Sequence, residues 1–450
     1  MQNILFDFFH KDCVSRREFL WLSSIATAGL LAGCAANPVT GRSQLMLVSE
    51  DKEIQIDRQH SPHQFSADLG VLQDNSLNDY IDQTGKKLAA ITHRPHMPYS
   101  FHGVNATYVN AYAFPGGTIA ATRGILLALD NEAELASLLG HELGHVNARH
   151  TAEQMSKSAL TGALVSGIAA YAGTRSSTLG QLASQLGQFG AGALLASYSR
   201  DNEREADELG LEYMVKAGYN ADGFVGLMDM LQSLSKHKPN AIELMFATHP
   251  MSDERYQTAV DTVRSQYYYT KKYALNRDRY MDHTANLRAI RGAIEDMQKG
   301  ESAMAKTEYN EAETYFKSAL KQAPDDYAGL VMMAKCQLAL KNFAEAKKYA
   351  QRAKEVYPQE GQAYHLSGFA KIHLKDFDSA YQEFTHYDKL LPGNPNTLFF
   401  KGYALDGMQR IKEAAGEYYQ YLQNVNQGEQ AQHAYRRLIE WGYIKPPPKK

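Results

Sequence analysis

In the last third of the chain the same residue types return every 34 positions. Tyr309, Phe343, Phe377 and Ile411 form one series, Ala312, Ala346, Ala380 and Ala414 a second, Pro324, Pro358 and Pro392 a third, and Gly300, Ala334, Gly368 and Gly402 a fourth. A unit of this length, with small residues where helices cross and proline after the second helix, cannot bury its apolar face alone. It must stack on its neighbours. An α-solenoid of about four copies is expected over residues 293–442. The fourth copy has Asn426 where proline would fall, and the helix around Trp441 is expected to cap the array. Residues 443–450, with Pro446-Pro447-Pro448, are expected to be a disordered tail.

The rest of the chain reads differently. Of its 450 residues 44% are hydrophobic and 22% charged, which suits a folded protein of roughly two or three domains. Against 50 Asp+Glu stand 47 Lys+Arg, a net charge of -3. No basic field draws such a chain onto phosphates, so nucleic acid is excluded as an expected partner. The only cysteines are Cys13, Cys34 and Cys336, too few for a disulfide framework or a cysteine zinc site. A metal would have to be held by histidine and carboxylate. Cys336 reads as a small buried apolar residue in a helix.

Residues 1–33 read as an export signal. Ser15-Arg16-Arg17-Glu18-Phe19-Leu20 precedes an uncharged, mostly apolar run from Trp21 to Gly33 and resembles a twin-arginine signal, although Trp21 replaces the usual lysine and general secretion fits as well. Leu31-Ala32-Gly33-Cys34 resembles a lipobox, in which cleavage leaves a lipidated cysteine. The chain is therefore expected in the periplasm, anchored to a membrane through Cys34. Ala35 and Ala36, with no aspartate, favour the outer membrane by resemblance to lipoprotein sorting.

Leu77, Tyr80, Ile81 and Leu88 fall at helical spacing, with Asp74 or Asn75 as N-cap. Between Tyr99 and Ala120 the texture changes to aromatic and β-branched residues around Pro115-Gly116-Gly117, predicting two or more short strands. Asp130 or Asn131 can cap a further helix, with Glu132 and Glu134 in its first turn and Leu135, Leu138, Leu139 and Val146 as its buried stripe. Residues 156–199 are rich in Ala, Gly, Ser and Leu and are expected to form two small-residue helices, packed on the domain or a lipid surface, in preference to membrane spans. Residues 271–292 read as a linker.

His141-Glu142-Leu143-Gly144-His145 lies on the capped helix. At about 100° per residue its two imidazoles return to within about 40° of one another, so both can reach one ion. Glu142 then sits beside the open position where water binds, as a general base. A third histidine six residues after His145 is missing, since that position is Thr151. His150, five residues after His145, falls off the ligand face and reads as supporting or surface. Further on, Glu203 and Asp207 share one helical face. Glu203 can close the site as a carboxylate ligand, and Asp207 can accept the N–H of a ligating histidine. His93, His96 and His102 have no ligand spacing and read as structural.

These motifs, with Asn110-Ala111-Tyr112-Ala113-Phe114-Pro115-Gly116-Gly117 and Asn37-Pro38-Val39-Thr40-Gly41-Arg42, resemble the gluzincin metallopeptidases of bacterial envelopes, of the beta-barrel assembly-enhancing type. The 34-residue units resemble tetratricopeptide repeats. The resemblance implies a mostly α chain: a small mixed α+β zincin-type metallopeptidase domain with a short β-sheet over 35–270, followed by the repeat solenoid. It also implies one Zn²⁺ per chain on His141, His145 and Glu203, with Glu142 as base. Thr248-His249-Pro250, followed by Asp253-Glu254-Arg255 opening a helix, matches a segment of the same family, and His249 is expected at the cleft, as fourth ligand or in an oxyanion role. Asn110–Phe114 is either a substrate-pairing edge strand or a packed one.

The function expected is a membrane-anchored zinc endopeptidase acting on unfolded or misassembled envelope and outer-membrane proteins. Its repeats would recruit the outer-membrane assembly machinery or restrain the cleft. The alternative is an envelope chaperone or assembly scaffold working through the repeats with little proteolysis.

Overall fold

The computed structural model describes residues 34–158, 198–237 and 239–445. The export signal, most of the small-residue stretch and the last five residues lie outside them. Strand β1 (Cys34–Ala36) pairs antiparallel with β2 (Ser43–Leu45). The turn between them is closed by Asn37, whose Oδ1 accepts from the Val39 and Thr40 amides at 2.8 and 3.1 Å. Two helices follow where one was expected, α1 (Glu50–Ala67) and α2 (Asn75–Ala89). Asp74 caps α2, and Leu77, Tyr80, Ile81 and Leu88 are all buried along it. In α1 the buried residues are Glu53, Ile56, Asp57, Ser61, Gln64 and Ser66, so it carries almost no apolar stripe to read.

The sheet has three strands, β3 (Ser100–Val104), β4 (Ala111–Ala113) and β5 (Thr118–Thr122), in the order β3-β5-β4. β3 runs parallel and β4 antiparallel to β5, which leaves β4 at an edge. At Gly117, φ is +106° and a Cβ would lie 2.9 Å from the Tyr99 ring, so the β4–β5 turn requires glycine.

After α3 (Arg123–Ala128) comes α4 (Glu132–Asn147), capped by Asn131, with all of its residues buried. Helix α5 (Arg200–Lys216) crosses α4 at very short range. Cβ atoms built on Gly140 and Gly144 would lie 2.9 Å from Gly210 O and 2.8 Å from Ala206 O. Small residues four apart on both helices therefore let the two backbones touch. α6 (Asp222–His237), α7 (Pro239–Thr248) and α8 (Asp253–Ser265) complete this layer. Two short helices, α9 (Arg277–His283) and α10 (Ala285–Ala289), occupy most of the stretch read as a linker. They are fastened to the domain by the buried Tyr280, whose hydroxyl donates to Leu126 O at 2.6 Å, and by Arg288, which donates to Leu129 O at 2.6 Å.

The C-terminal solenoid consists of helix pairs α11 (Arg291–Ala305) with α12 (Tyr309–Gln322), α13 (Tyr327–Ala339) with α14 (Phe343–Val356), α15 (Gln362–His373) with α16 (Phe377–Leu390), and α17 (Pro395–Gly407) with α18 (Ile411–Asn424). Helix α19 (Glu429–Glu440) closes the array. Its period has a packing cause. The rings of Phe316, Phe384 and Tyr418 lie where a Cβ on Gly300, Gly368 and Gly402 would be, each sixteen residues earlier. A fifth 34-residue series is invisible in residue type: Thr307, Lys341, Lys375 and Gln409 all adopt φ of 60–62° at the turn inside each pair. Cys336 is buried in α13. Among the described residues no helix is long and apolar enough to cross a membrane.

The solenoid docks on the N-terminal domain through polar contacts. Arg123 pairs with Asp326 at 2.7 Å, Gln298 donates to Thr107 O at 2.6 Å, the Thr107 hydroxyl donates to Glu301, and Ser66 donates to Glu360, which also accepts from Tyr327 of the solenoid itself. Between the two parts lies a cavity of about 270 Å³ lined by Asp68, Tyr108, Glu301, Met332 and Lys335 among others.

Candidate metal centre

The glycine-lined crossing of α4 and α5 sets one helix's imidazoles against the other's carboxylate. His141 Nε2 lies 3.1 Å from His145 Nε2. Glu203 Oε1 is 3.3 Å from His145 Nε2, and Glu203 Oε2 is 3.6 Å from His141 Nε2. His249, at the end of α7, adds Nδ1 at 3.1 Å from Glu203 Oε1 and 3.4 Å from His141 Nε2. One donor atom from each of these four buried residues falls within 4.8 Å of all the others.

The proton positions say what such a cluster is for. Asp207 Oδ1 lies 3.0 Å from His141 Nδ1, which places that ring's hydrogen on Nδ1 and leaves Nε2 with a bare lone pair. Burial pushes the His145 pKa well down and so favours a neutral ring, despite the opposing pull of Glu203. Nitrogen donors and a carboxylate converging at such distances form a set that one cation could bridge. Imidazole and carboxylate donors in this number suit zinc.

Glu142 points from α4 into the same space. Both of its oxygens are buried and have no hydrogen-bond partner, and Oε1 is 3.8 Å from His249 Nε2. Burial pushes its carboxyl up, against the attraction of His249 and His141. For Glu203 the balance reverses. Burial would raise it, but His249 and His145 outweigh that and hold the carboxyl well below the usual range. His249 is raised, because Glu203 and Glu142 overcome its burial.

Arg255 has no role in the sequence reading, and the structure gives it one. From α8 its guanidinium takes Asp207 through Nε and Nη2, both at 2.7 Å, and reaches Glu203 Oε2 through Nη1 at 2.6 Å. The available signal was charge: the Glu203–Asp207 run demands an inward cation, while Arg204 turns outward to Asp201 and Glu254. The ring of Tyr198 stacks on His145 with centroids 3.8 Å apart. His93 bonds the Tyr213 hydroxyl at 2.7 Å, His96 meets Glu50 at 2.9 Å, and His102 packs edge-on against Phe65.

With that geometry in view, similarity to known proteins becomes decisive. Residues 75–263 match Peptidase family M48, and 303–367 match the tetratricopeptide repeat. The chain is 35% identical over 199 residues to metalloprotease YcaL of Escherichia coli, a match covering 42% of this chain and 74% of that protein. The chain belongs to Peptidase family M48. Two other proteins are similar as well. Beta-barrel assembly-enhancing protease of Yersinia pestis is 30% identical, covering 52% of this chain and 48% of that one. The Escherichia coli protein of the same name is 27% identical, covering 48% and 45%. This M48 chain thus spans about half the length of those two relatives.

Proposed function

We propose that the chain is a zinc-dependent endopeptidase of the bacterial envelope, tethered through a lipidated Cys34, that acts on misfolded or misassembled outer-membrane proteins. The observation that carries this reading is the Glu142 carboxylate, buried with both oxygens unpartnered beside converging imidazole lone pairs. So costly an arrangement is expected where a proton must be taken up.

His141, His145 and Glu203 would hold the ion, and His249 would take the fourth position at rest. A zinc ion there supplies Lewis acidity for the scissile carbonyl and for a water. His249 must withdraw before water and substrate can enter. Glu142 takes the water's proton on a carboxylate oxygen, its raised affinity for protons suiting it to this, and returns it to the leaving amine. Asp207 keeps the His141 hydrogen on Nδ1, and Arg255 holds both acidic partners in place. Strand β4 lies at the edge of the sheet with Ala111, Tyr112 and Ala113 all buried, so main-chain pairing with an extended substrate would first need that edge uncovered. The repeats would present the surface that meets the outer-membrane assembly machinery.

The test is cleavage of an unfolded protein by the wild type and by Glu142→Gln, with zinc content measured on both. The variant is expected to keep its zinc and to lose cleavage by about 10²-fold or more. Equal cleavage by the two would move the assignment to a scaffold acting through its repeats.

A further inference from the structure

Helix α5 carries a third acid, Glu205, that the chemistry above does not use. It lies 3.0 Å, through Oε2, from Nε2 of His150, and His150 Nδ1 lies 2.9 Å from His145 Nδ1. His150 is 1% exposed. A straight continuation of α4 would carry this residue away from His145. The helix instead ends at Asn147, and Arg149 adopts φ +61°, which swings the chain back. That turn is fastened by Arg149, which bonds Glu53 at 3.0 Å and donates to Val48 O at 2.7 Å.

The distances fix the direction of every bond. With Nε2 of His145 facing the donor cluster, its hydrogen sits on Nδ1. Two ring nitrogens 2.9 Å apart bond only if one of them lacks a hydrogen, so His150 Nδ1 is the acceptor. A neutral His150 then carries its hydrogen on Nε2 and donates it to Glu205. Glu205 is met in turn by Asn37 Nδ2 at 3.4 Å, from the turn that follows β1. His141 is oriented directly by Asp207, and His145 at one remove.

We propose that His150 and Glu205 are positioning residues that set the tautomer and ring orientation of His145 toward the metal, with Asn37 tying this chain of bonds to the N-terminal segment. The inference rests on the reading of His141, His145 and Glu203 as metal ligands.

The experiment measures zinc affinity by competition with a chromogenic chelator, on the full chain, for the wild type, His150→Leu, His150→Gln, Glu205→Ala and Glu203→Gln. Partners of metal-bound histidines commonly contribute 10- to 100-fold in affinity, and a loss of that order is expected for His150→Leu. His150→Gln is expected to stay within about threefold, because its carboxamide oxygen can accept from His145 while its NH₂ donates to Glu205. Equal weakening by leucine and glutamine would reduce His150 to a packing role and overturn the proposal. Wild-type affinity in both would also overturn it, while weak binding by Glu203→Gln left the metal reading standing. Unaltered binding by Glu203→Gln would remove the metal reading and this inference with it. Should His150→Leu not fold, Glu205→Ala decides: a loss of about tenfold supports the chain of bonds, and no loss overturns it.

Discussion

His249 Nδ1 lies 3.1 Å from Glu203 Oε1, so a residue from the end of α7 closes the donor cluster that α4 and α5 build. Three protein ligands are enough to hold a catalytic zinc, and a fourth occupies the position that water needs. His249→Ala is therefore expected to retain zinc, with affinity lower by about tenfold, and to cleave unfolded protein faster than the wild type. Zinc titration and a cleavage assay check this, and no change in either would remove His249 from the site.

Arg255 faces two carboxylates, the fully buried Glu203 and the half-buried Asp207, and its removal takes the guanidinium from both. Breaking a buried ion pair from one side costs about 3–5 kcal/mol. Arg255→Ala is expected to lose stability of that order in urea unfolding of the metal-free protein. Arg255→Lys is expected to recover little of it, since a single ammonium cannot reproduce the paired bonds to Asp207 and the contact with Glu203.

Much of the fold can be read from the chain, and the parts that cannot share a physical reason. The α2 stripe and the 34-residue series are legible because burial there selects apolar or small side chains. Helix α1 is hidden because its buried face is polar, and the left-handed residues at Thr307, Lys341, Lys375 and Gln409 are hidden because no residue type marks them. At the site, helical periodicity suffices to bring His141 next to His145 and Glu203 next to Asp207. For His150 it leaves a supporting and a surface role both open, because the periodicity stops at Asn147 and a left-handed turn then swings the residue back against His145. Arg255 arrives from a separate helix, and His249 from the end of another, so neither has a spacing to betray it.

The docked interface carries more acid than base. Glu301 faces Thr107, Arg123, Lys335 and Asp68, and burial raises its carboxyl. Asp68, facing Tyr108, Tyr112 and Gln64, and Glu360, facing Ser66, Tyr327 and Lys335, are raised for the same reason. A carboxyl whose docked pKa exceeds its free value favours docking at low pH. That contribution is lost as pH climbs from the ordinary 3.8–4.5 through the raised values. Limited proteolysis between the two parts is expected to quicken as pH rises above the ordinary carboxylate range, and Glu301→Gln is expected to flatten the dependence. A rate of nicking that fell with rising pH would contradict the assignment.

The α4–α5 crossing makes a prediction about the metal without touching a ligand. A Cβ on Gly144 would lie 2.8 Å from Ala206 O, a backbone atom with no flexible end to move aside, so the helices must part. Glu203 rides on α5 one turn from Ala206, and any separation draws its carboxylate away from His145. Gly144→Ala is expected to cost about 1–3 kcal/mol of stability as overpacking and to weaken zinc binding as well. The contrast is Gly416, in the middle of α18, where a Cβ would meet nothing within 4 Å. There the same substitution removes only the conformational cost of glycine in a helix, and a gain of about 0.5–1 kcal/mol is expected. Thermal unfolding of both variants, with zinc titration of the first, separates the effect of closeness from that of glycine itself. Unimpaired zinc binding by Gly144→Ala would mean that the carboxylate is held by Arg255 and His249 rather than by the approach of the two helices.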